Sequence, residues 1–305
     1  MSESAPFHAS ERHVQARAEL MHRADNSGRM IASSIMPGAW SFLADQSMVV
    51  IGSWDGARGA WPTLVVGPPG FLSTHDGTRV ALDMVASGAD PTDPLWDNLV
   101  RTGRISLLAI ELSTRRRLRV NGRVSPLPCA SLAHSKFDMM VDQAYPNCPK
   151  YIQRRVRRNR PGATSTMPVK MRTALHADQV RLIAAADTFF VASAHPTQGT
   201  DVSHRGGNPG FVEVQSTERL RIPDYVGNGM FNTLGNIHAT GFAGLLFVDF
   251  STGWQLQVLG NAEIDWKSDG NVAERFWTLD IHHVRESCLP VDVGWEWLED
   301  SPFNA

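Results

Sequence analysis

The chain has 305 residues, of which 42% are hydrophobic and 20% charged, a composition typical of a folded globular protein rather than a disordered one. Lys and Arg total 29 against 31 for Asp and Glu, and the formal net charge of −2 argues against a surface built to grip nucleic-acid phosphates. Cys129, Cys148 and Cys288 are too few and too far apart for a disulfide framework, and no apolar run approaches the about 18 residues of a membrane span. We therefore expect a cytoplasmic protein without a nucleic-acid or membrane partner.

Residues 1–39 form a predicted N-terminal helical segment. Within it, residues 8–24 are polar and rich in alanine. Ser10 is a candidate N-cap, because a short hydroxyl side chain accepts a hydrogen bond from the first helical turn.

The next part of the chain contains two copies of one unit. A shift of 140 positions aligns Ser53 with Ser193, together with the Gly and Pro-Gly-Phe positions that follow each of them. A shift of 138 aligns residues 107–122 with residues 245–260, with seven identities. Two nearly equal shifts require only one small insertion or deletion, so the sequence predicts an internal repeat.

Each copy predicts β structure. MVVIGSW in the first copy and TFFVASA in the second are short apolar runs, and a hairpin joins LLFVDF to WQLQVLGNAEIDW across Ser251-Thr252-Gly253. We place the first copy at residues 40–130 and the second at residues 177–266, each as a small antiparallel barrel. Residues 267–305 then form a C-terminal tail that packs on the barrels.

Residues 131–176 predict a helical and basic connector between the copies. Four apolar residues fall on one face of a helical projection: Leu132, Phe137, Met140 and Val141. Six basic residues follow: Lys150, Arg154, Arg155, Arg157, Arg158 and Arg160. This run indicates either a solvated helix face or a surface that binds nucleic acid or a phosphorylated ligand.

The two copies differ in polarity at one place. The first copy has the apolar run Pro62–Val66 where the second copy has Val202–Gly206, which reads Val-Ser-His-Arg-Gly. Arginine donates to phosphate through a planar fork, and glycine lets backbone amides approach an anion closely. Because one copy has Val65 where the other has Arg205, the polar set is not needed for folding and favours a ligand.

A second polar stretch follows in the same copy. Asn228, Asn232, Thr233 and Asn236 lie within nine residues of one another. Amides and hydroxyls at this density suit a polar ligand, but Asn and Gly are also the residues of turns and helix caps. Both interpretations stay open from the residues alone.

Four segments together resemble the pyridoxamine 5′-phosphate oxidase-like FMN-binding split-barrel family: YPNCPKYIQRR, DTFFVASAHPTQGTDVSHRGGNPGFVEV, MFNTLGNIHATGFAGLLFVDF and SPFNA. They are similar to a branch of FMN-binding proteins that is sometimes fused to a flavin and iron–sulfur reductase module. The resemblance covers nearly the whole chain and is most specific in the second copy and the connector. It implies a mainly β (α+β) fold, in which tandem split β-barrels form an internal pseudo-dimer with a helical connector and an N-terminal helix.

Because the first copy lacks the polar set, we expect one FMN per chain rather than two. Its phosphate is expected beside Ser203, His204, Arg205 and Gly206 of the second copy. The other residues expected at the cofactor are Lys150, Gln153, Asn228, Asn232, Thr233 and Asn236. His204 and Tyr151 are the candidates for proton transfer, since both side chains are neutral near pH 7 and can donate and accept hydrogen bonds.

The implied function is an FMN-dependent oxidoreductase that exchanges a hydride or electrons with a small organic substrate. The chain lacks the Arg-Leu-His-Asp-Arg type of segment that the oxidase proper uses for its pyridoxal substrate. Electrons would come from the substrate or from a separate flavin and iron–sulfur reductase, and we expect a homodimer of chains. The alternatives are a flavin- or haem-binding carrier or sensor without turnover, and an interaction module that uses the basic connector.

Overall fold

The computed structural model describes residues 6–124, 132–159, 168–267, 273, 275–289 and 292–304. Of the residues considered above, Cys129, Arg160 and residues 161–167 of the connector lie outside this described part. Within it, no helix is long and apolar enough to cross a membrane. Its α-helices are α1 (Ala9–Arg17), α2 (Met21–Gly28), α3 (Trp40–Ala44), α4 (Leu95–Thr102), α5 (Ala177–Ala185) and α6 (Asn232–Thr240).

Seven antiparallel strands form the first sheet. They are β1 (Met48–Trp54), β2 (Ala60–Val66), β3 (Leu72–Ser73), β4 (Arg79–Asp83), β5 (Arg104–Glu111), β6 (Arg116–Val124) and β7 (Lys136–Pro146). Their order across the sheet is β2-β1-β5-β6-β7-β4-β3.

The second sheet has the same order built from later strands. The remaining strands are β8 (Arg154–Asn159), β9 (Lys170–Arg172), β10 (Thr188–His195), β11 (Gly199–Gly206), β12 (Glu213–Ser216), β13 (Arg219–Asp224), β14 (Phe242–Val248), β15 (Trp254–Asp265), β16 (Arg275–Cys288) and β17 (Val293–Glu299). The second sheet runs β11-β10-β14-β15-β16-β13-β12, with β9 added on β16, and β17 pairs separately with β8. Each strand on this path therefore takes the place of the strand nine numbers lower in the first sheet.

Several predicted elements are confirmed, and the N-terminal helix is divided in two. MVVIGSW is β1, TFFVASA lies in β10, and β14 and β15 form the predicted hairpin. The cap of α1 is His8, whose Nδ1 accepts a hydrogen bond from the Glu11 amide at 3.4 Å, and not Ser10, which lies inside the helix. The backbone then turns at Glu19, where φ is 58°, so α2 begins as a separate helix.

The predicted helix in the connector is wrong. Apart from a short turn at Leu132–His134, this segment is the strand β7. Phe137, Met139 and Val141 are buried, while Asp138 between them is exposed. This alternation has a period of two, which is the period of a strand with one buried face. The basic run is likewise the strand β8 rather than a helix.

Each sheet extends beyond the copy predicted for it. β7 pairs with β6 and lies after residue 130, and β16 lies after residue 266, between β15 and β13. The segment 267–305 is therefore more than a tail, since its first strand is inside the second sheet. In both copies this last strand follows a long connection, which separates it from the hairpin that marks the repeat in the sequence.

The two faces of the central strands belong to different hydrophobic cores. In β1, Val49 and Ile51 pack into the core of the first sheet, whereas Met48 and Val50 join a core that the two sheets share. Phe190 of β10 enters the same shared core from the second sheet. Because both faces are buried, these strands are apolar at nearly every position instead of alternating with polar residues.

The two sheets contact each other reciprocally. β11 packs against β1, β5 and β6 of the first sheet, and β2 packs against β10, β14 and β15 of the second. These are the same three contacts with the two sheets exchanged. The two sheets thus contribute corresponding strands to their common interface.

The reciprocal interface leads to a prediction about Gly244 of β14. A Cβ atom at this position would lie 1.8 Å from the carbonyl oxygen of Ala60 in β2, so Gly244→Ala forces the two backbones apart. We expect the free energy of unfolding to fall by about 1–3 kcal/mol, measured by urea denaturation. The matched control is Gly38→Ala, where no atom lies within 4 Å of the added carbon and the change should stay within about 0.5 kcal/mol. Equal effects of the two substitutions would contradict this account of the interface.

Candidate functional site

A cavity of about 110 Å³ lies between the two sheets, where β6 of the first faces β11 of the second. Its walls come from β6, from the loop between β7 and β8, from β11, and from the segment between β13 and the start of α6. The lining is completed by Leu20 before α2, Phe211 after β11, Pro223 and Asp224 at the end of β13, and Arg275 at the start of β16. The site is thus built from both sheets and from the connector.

Most of the residues predicted at the cofactor are brought together here. Those that line the cavity are Lys150, Tyr151, Ser203, His204, Arg205, Gly206, Asn228, Asn232 and Thr233. Gln153 and Asn236 do not line it. The polar difference between the two copies of the repeat therefore led to one place in the molecule.

Asn236 has a counterpart in the first copy, which the sequence analysis overlooked. Its Nδ2 donates to Ser193 Oγ at 3.0 Å, linking α6 to β10. In the same way, Asn98 Nδ2 donates to Ser53 Oγ at 3.0 Å and links α4 to β1. A bond present in both copies holds the helix to its sheet, so Asn236 is explained by the structure of the unit.

Gln153 anchors the end of the chain instead of lining the cavity. Its side chain is fully buried, donates to Asn304 Oδ1 at 2.8 Å and accepts from the Ser301 amide at 2.6 Å. These bonds hold the SPFN segment against the loop that follows β7.

Two arginines are among the lining residues that the sequence analysis missed. Arg117 and Arg119, both in β6, line the cavity from the first sheet. The second copy has Gln255 and Gln257 at the matching positions, 138 residues later. Comparison of the two copies therefore does mark these arginines, but they lie in the first copy, which has no other polar set.

The cavity is strongly cationic. Its charged lining residues in the described part of the chain are the five cations Arg117, Arg119, Lys150, Arg205 and Arg275, with Asp224 as the one carboxylate. Asp224 bonds both Arg205 and Arg275, each at 3.0 Å. Burial, and then the charge of Arg119, lowers the pKa of Arg117 to about 9. An anion in the cavity would balance this excess of positive charge.

Arg119 is fixed by four neighbours at the cavity wall. Its guanidinium donates to Ser203 Oγ at 2.5 Å and to Asn232 Oδ1 at 3.1 Å, and it forms an ion pair with Asp201 at 3.0 Å. The Tyr145 hydroxyl lies 3.0 Å from the same group. β6 and β11 are thereby joined through polar side chains beside the cavity.

His204 is a neutral hydrogen-bond donor. Its Nδ1 lies 3.3 Å from Arg117 Nη1, and since a guanidinium can only donate, Nδ1 accepts. Burial, followed by the charges of Arg117, Arg155 and Arg205, holds the pKa of His204 well below its usual value. The proton of the neutral ring therefore lies on Nε2, and this buried atom has no hydrogen-bond partner among the described residues.

Further polar atoms of the lining are buried without a protein partner. They are Arg117 Nε, Arg119 Nε, Arg205 Nε and Asn147 Oδ1. Each unsatisfied buried group costs about 1–3 kcal/mol, and such groups are usually satisfied by a ligand or water. Four of these five atoms, counting His204 Nε2, are N–H donors, so the missing partner is an acceptor.

Tyr151 is held in place by its backbone and its ring. Its φ is 65°, its ring stacks on Tyr225 at 5.3 Å, and its hydroxyl donates to the Val226 carbonyl at 3.1 Å. Gly206 permits this loop to approach, because a Cβ atom there would lie 2.0 Å from the Tyr151 carbonyl oxygen. The phenol thus forms one wall of the cavity with its hydroxyl already bonded.

The basic run of the connector is largely neutralised. Arg154 pairs with Glu299, Arg155 with Asp187 and Arg158 with Glu296. β8 and its partner strand β17 therefore match positive and negative side chains, as cross-strand pairs often do.

No protein-family model and no curated protein matches the sequence. Parts of the chain are similar to solved structures. HupZ from Group A Streptococcus is 12% identical, with 39% of this chain and 98% of that chain covered and a TM-score of 0.31. A proposed pyridoxamine 5′-phosphate oxidase from Lactobacillus delbrueckii is 18% identical, covering 36% and 93%, with a TM-score of 0.31. A FAD-binding protein from Mesorhizobium loti is 16% identical, covering 40% and 99%, with a TM-score of 0.27.

The geometry of His204 predicts its behaviour on titration. We expect ¹⁵N NMR of histidine-labelled protein to show a neutral ring with the proton on Nε2, unchanged from about pH 8 to about pH 5.5. The physical reason is that protonation would place a further charge beside Arg117, Arg155 and Arg205 in a buried site. A midpoint near the ordinary value of about 6.5 would contradict this assignment.

Proposed function

We propose that the cavity binds FMN and that the protein is an FMN-dependent oxidoreductase. The observation that carries the proposal is the set of buried N–H donors, unpartnered among the described residues, that belong to the lining of a cavity with five cations and one carboxylate in its described part. A phosphate dianion satisfies such donors and balances such a charge. The cavity volume of about 110 Å³ is below the about 300–1,000 Å³ of most ligand pockets, which suits the phosphate end of the cofactor better than the whole molecule.

The residues that would hold the phosphate come from both sheets. Ser203 and the Nε2–H of His204 contribute from β11, and Arg117 and Arg119 contribute from β6. Arg205 keeps one N–H without a protein partner while it bonds Asp224. Tyr225 and Phe231, also in the lining, offer aromatic surface to a flavin ring.

We further propose that the two sheets are tandem split barrels that pack as an internal pseudo-dimer. The identical strand order, the reciprocal contacts of β2 and β11, and the matched Asn98 and Asn236 bonds support this. When the two sheets are interchanged, the positions of Arg119 and Tyr145 beside the cavity correspond to Gln257 and Arg285. Gln257 Nε2 donates to Asp93 Oδ2 at 3.1 Å, and Arg285 bonds Gln257 Oε1 at 2.9 Å. These donors already have protein acceptors, so we expect one cofactor per chain.

Bound FMN would supply the redox chemistry by exchanging a hydride with a small organic substrate. The protein binds its phosphate, orients it and excludes water from the enclosed end of the cavity. His204 serves in this scheme as a donor to the cofactor, because its neutral ring has no free lone pair with which to accept a proton. The Tyr151 hydroxyl is bonded to Val226, so a catalytic role for it requires that this bond be exchanged. The electrons would come from the substrate or from a separate reductase.

Reconstitution with FMN tests the proposed function directly. We expect the purified protein to bind one FMN per chain and to show the two absorption bands of a flavin, measured by absorbance after removal of free cofactor. A Soret band in the isolated protein would favour the haem-binding alternative. A colourless protein that retains no FMN would contradict the proposal.

The repeat provides matched controls for the phosphate site. Arg117→Ala and Arg205→Ala should each weaken FMN binding about 10- to 100-fold, the loss expected for one hydrogen bond to a charged group. Gln255→Ala and Val65→Ala, at the corresponding positions of the other copy, should leave the affinity within about twofold. Flavin fluorescence titration measures both pairs. Equal losses in an arginine variant and its control would refute the assignment.

A further inference from the structure

The N-terminal helix brings a buried carboxyl group close to the proposed phosphate site. Glu11 of α1 is 5% exposed and packs on α6. A Cβ atom at Gly235 of α6 would lie 2.4 Å from Glu11 Cγ, so the two helices approach as closely as a glycine allows. Helix α1 is therefore packed directly on α6, whose first residues, Asn232 and Thr233, line the cavity.

Glu11 has hydrogen-bond donors but no cationic partner in contact. Its Oε2 accepts from the His8 amide at 2.8 Å, and its Oε1 accepts from Asn232 Nδ2 at 2.6 Å. The His8 ring lies 3.5 Å away, but burial, followed by the neighbouring His195, lowers the pKa of His8 to about 4, so that ring is neutral at pH 7. An ionised carboxylate in such a place is costly, because burial without a paired charge disfavours the ionised form.

Asn232 connects Glu11 to the cavity. Since Nδ2 donates to Glu11, the Oδ1 atom of Asn232 faces Arg119 and accepts from its Nη1 at 3.1 Å. Arg119 already forms an ion pair with Asp201. The carboxyl groups of Glu11 and Asp201 are thus both stabilised in their ionised form by the charge of Arg119, and Arg119 lines the cavity.

We infer that binding of an anion in this cavity is coupled to the uptake of a proton by Glu11. An incoming phosphate adds negative charge beside Arg119, which makes an ionised Glu11 less favourable still. By linkage, a ligand that disfavours the ionised carboxyl group raises its proton affinity, and protonation of the carboxyl group in turn strengthens binding of the ligand. The inference rests on the proposed function only for the identity of the anion, which is the FMN phosphate.

The groups around Glu11 decide the pH range in which the coupling operates. Burial raises the pKa of Glu11 to about 7, and the charge of Asp201 acts in the same direction. The hydrogen bonds from His8 and Asn232 and the charge of Arg119 act to lower it. The other titratable or charged groups on or against α1 include His13 and His238, which stack, Arg12 with Asp25, Arg17 over the Trp266 ring, His195 against His8, and Tyr145 beside Arg119. Glu11 is therefore the carboxyl group of this cluster placed to titrate near neutral pH.

The sign of the effect follows from the raised pKa. Glu11 holds its proton more firmly in the folded protein than in the unfolded chain, so its contribution to stability is present below about pH 4.5 and is lost as the pH rises through about 7. Affinity for an anion should fall at higher pH, as the pH rises above about 7, because there the free protein loses the Glu11 proton before the complex does. Glu11→Gln keeps a neutral side chain of the same shape and should remove this part of the pH dependence.

Calorimetry in buffers of different ionisation enthalpy measures the proton uptake. At pH 7 we expect FMN binding to the wild-type protein to take up about half a proton more than binding to Glu11→Gln, since a group titrating near pH 7 is about half protonated before the ligand arrives. Glu19→Gln, an exposed position beyond the same helix, is the control and should behave as wild type. Equal proton uptake by wild type and Glu11→Gln would overturn the inference.

Sulfate separates this inference from the proposed function. Unlike the FMN phosphate, whose second ionisation lies near pH 6, sulfate does not titrate between pH 6 and pH 8. We expect sulfate to raise the Tm of the apo protein more at pH 6 than at pH 8, and the difference to be lost in Glu11→Gln. This result without any FMN binding would refute the flavin proposal and support the coupling, while a sulfate effect independent of Glu11 would overturn the coupling.

A measurement on the wild-type protein covers the case in which Glu11→Gln does not fold. The infrared band of protonated carboxyl groups should gain intensity when sulfate is added at pH 7, in protein carrying isotope-labelled glutamate. No gain on sulfate binding would overturn the inference without the use of any variant.

Discussion

The apolar layer between the two sheets is the constraint on which the rest of the structure depends. Met48 and Val50 enter it from the first sheet and Phe190 from the second, while the other faces of the same strands fill the separate cores. Because this layer fixes the central strands against one another, it also fixes β6 opposite β11. The cationic cavity is the polar margin of that contact. The polar side chains of β6 and β11 face each other only because the apolar layer holds the two sheets in this alignment.

The repeat allowed much of the fold and part of the site to be predicted from the sequence. Comparison of the copies singled out Arg205 against Val65, and the polar set around it does line one cavity. The same comparison was not applied in the opposite direction, so Arg117 and Arg119 were missed although glutamines replace them in the second copy. A cavity between two sheets takes residues from both of them. The sheet with fewer polar residues can therefore still contribute to the site.

The remaining errors have local physical causes. The connector was interpreted with a helical period, but Phe137, Met139 and Val141 alternate as a strand does. β16 was assigned to a tail because nothing in a single sequence marks which strands pair across a long connection. Asn236 does not distinguish the two copies, because Asn98 occupies the corresponding position 138 residues earlier and makes the matching bond; its place at the cofactor stays a prediction.

The internal pseudo-dimer that we propose has a consequence for how such a site can change. In a dimer of identical chains, every substitution occurs on both sides of the interface, so a cavity and its symmetry-related position must change together. In this chain Arg119 and Gln257 occupy equivalent places and differ, as do Tyr145 and Arg285. Under this proposal, each position can change independently of the position that corresponds to it in the other unit. One side of the interface is free to accumulate unbalanced charge for a ligand, while the other can be closed by internal hydrogen bonds that contribute to stability.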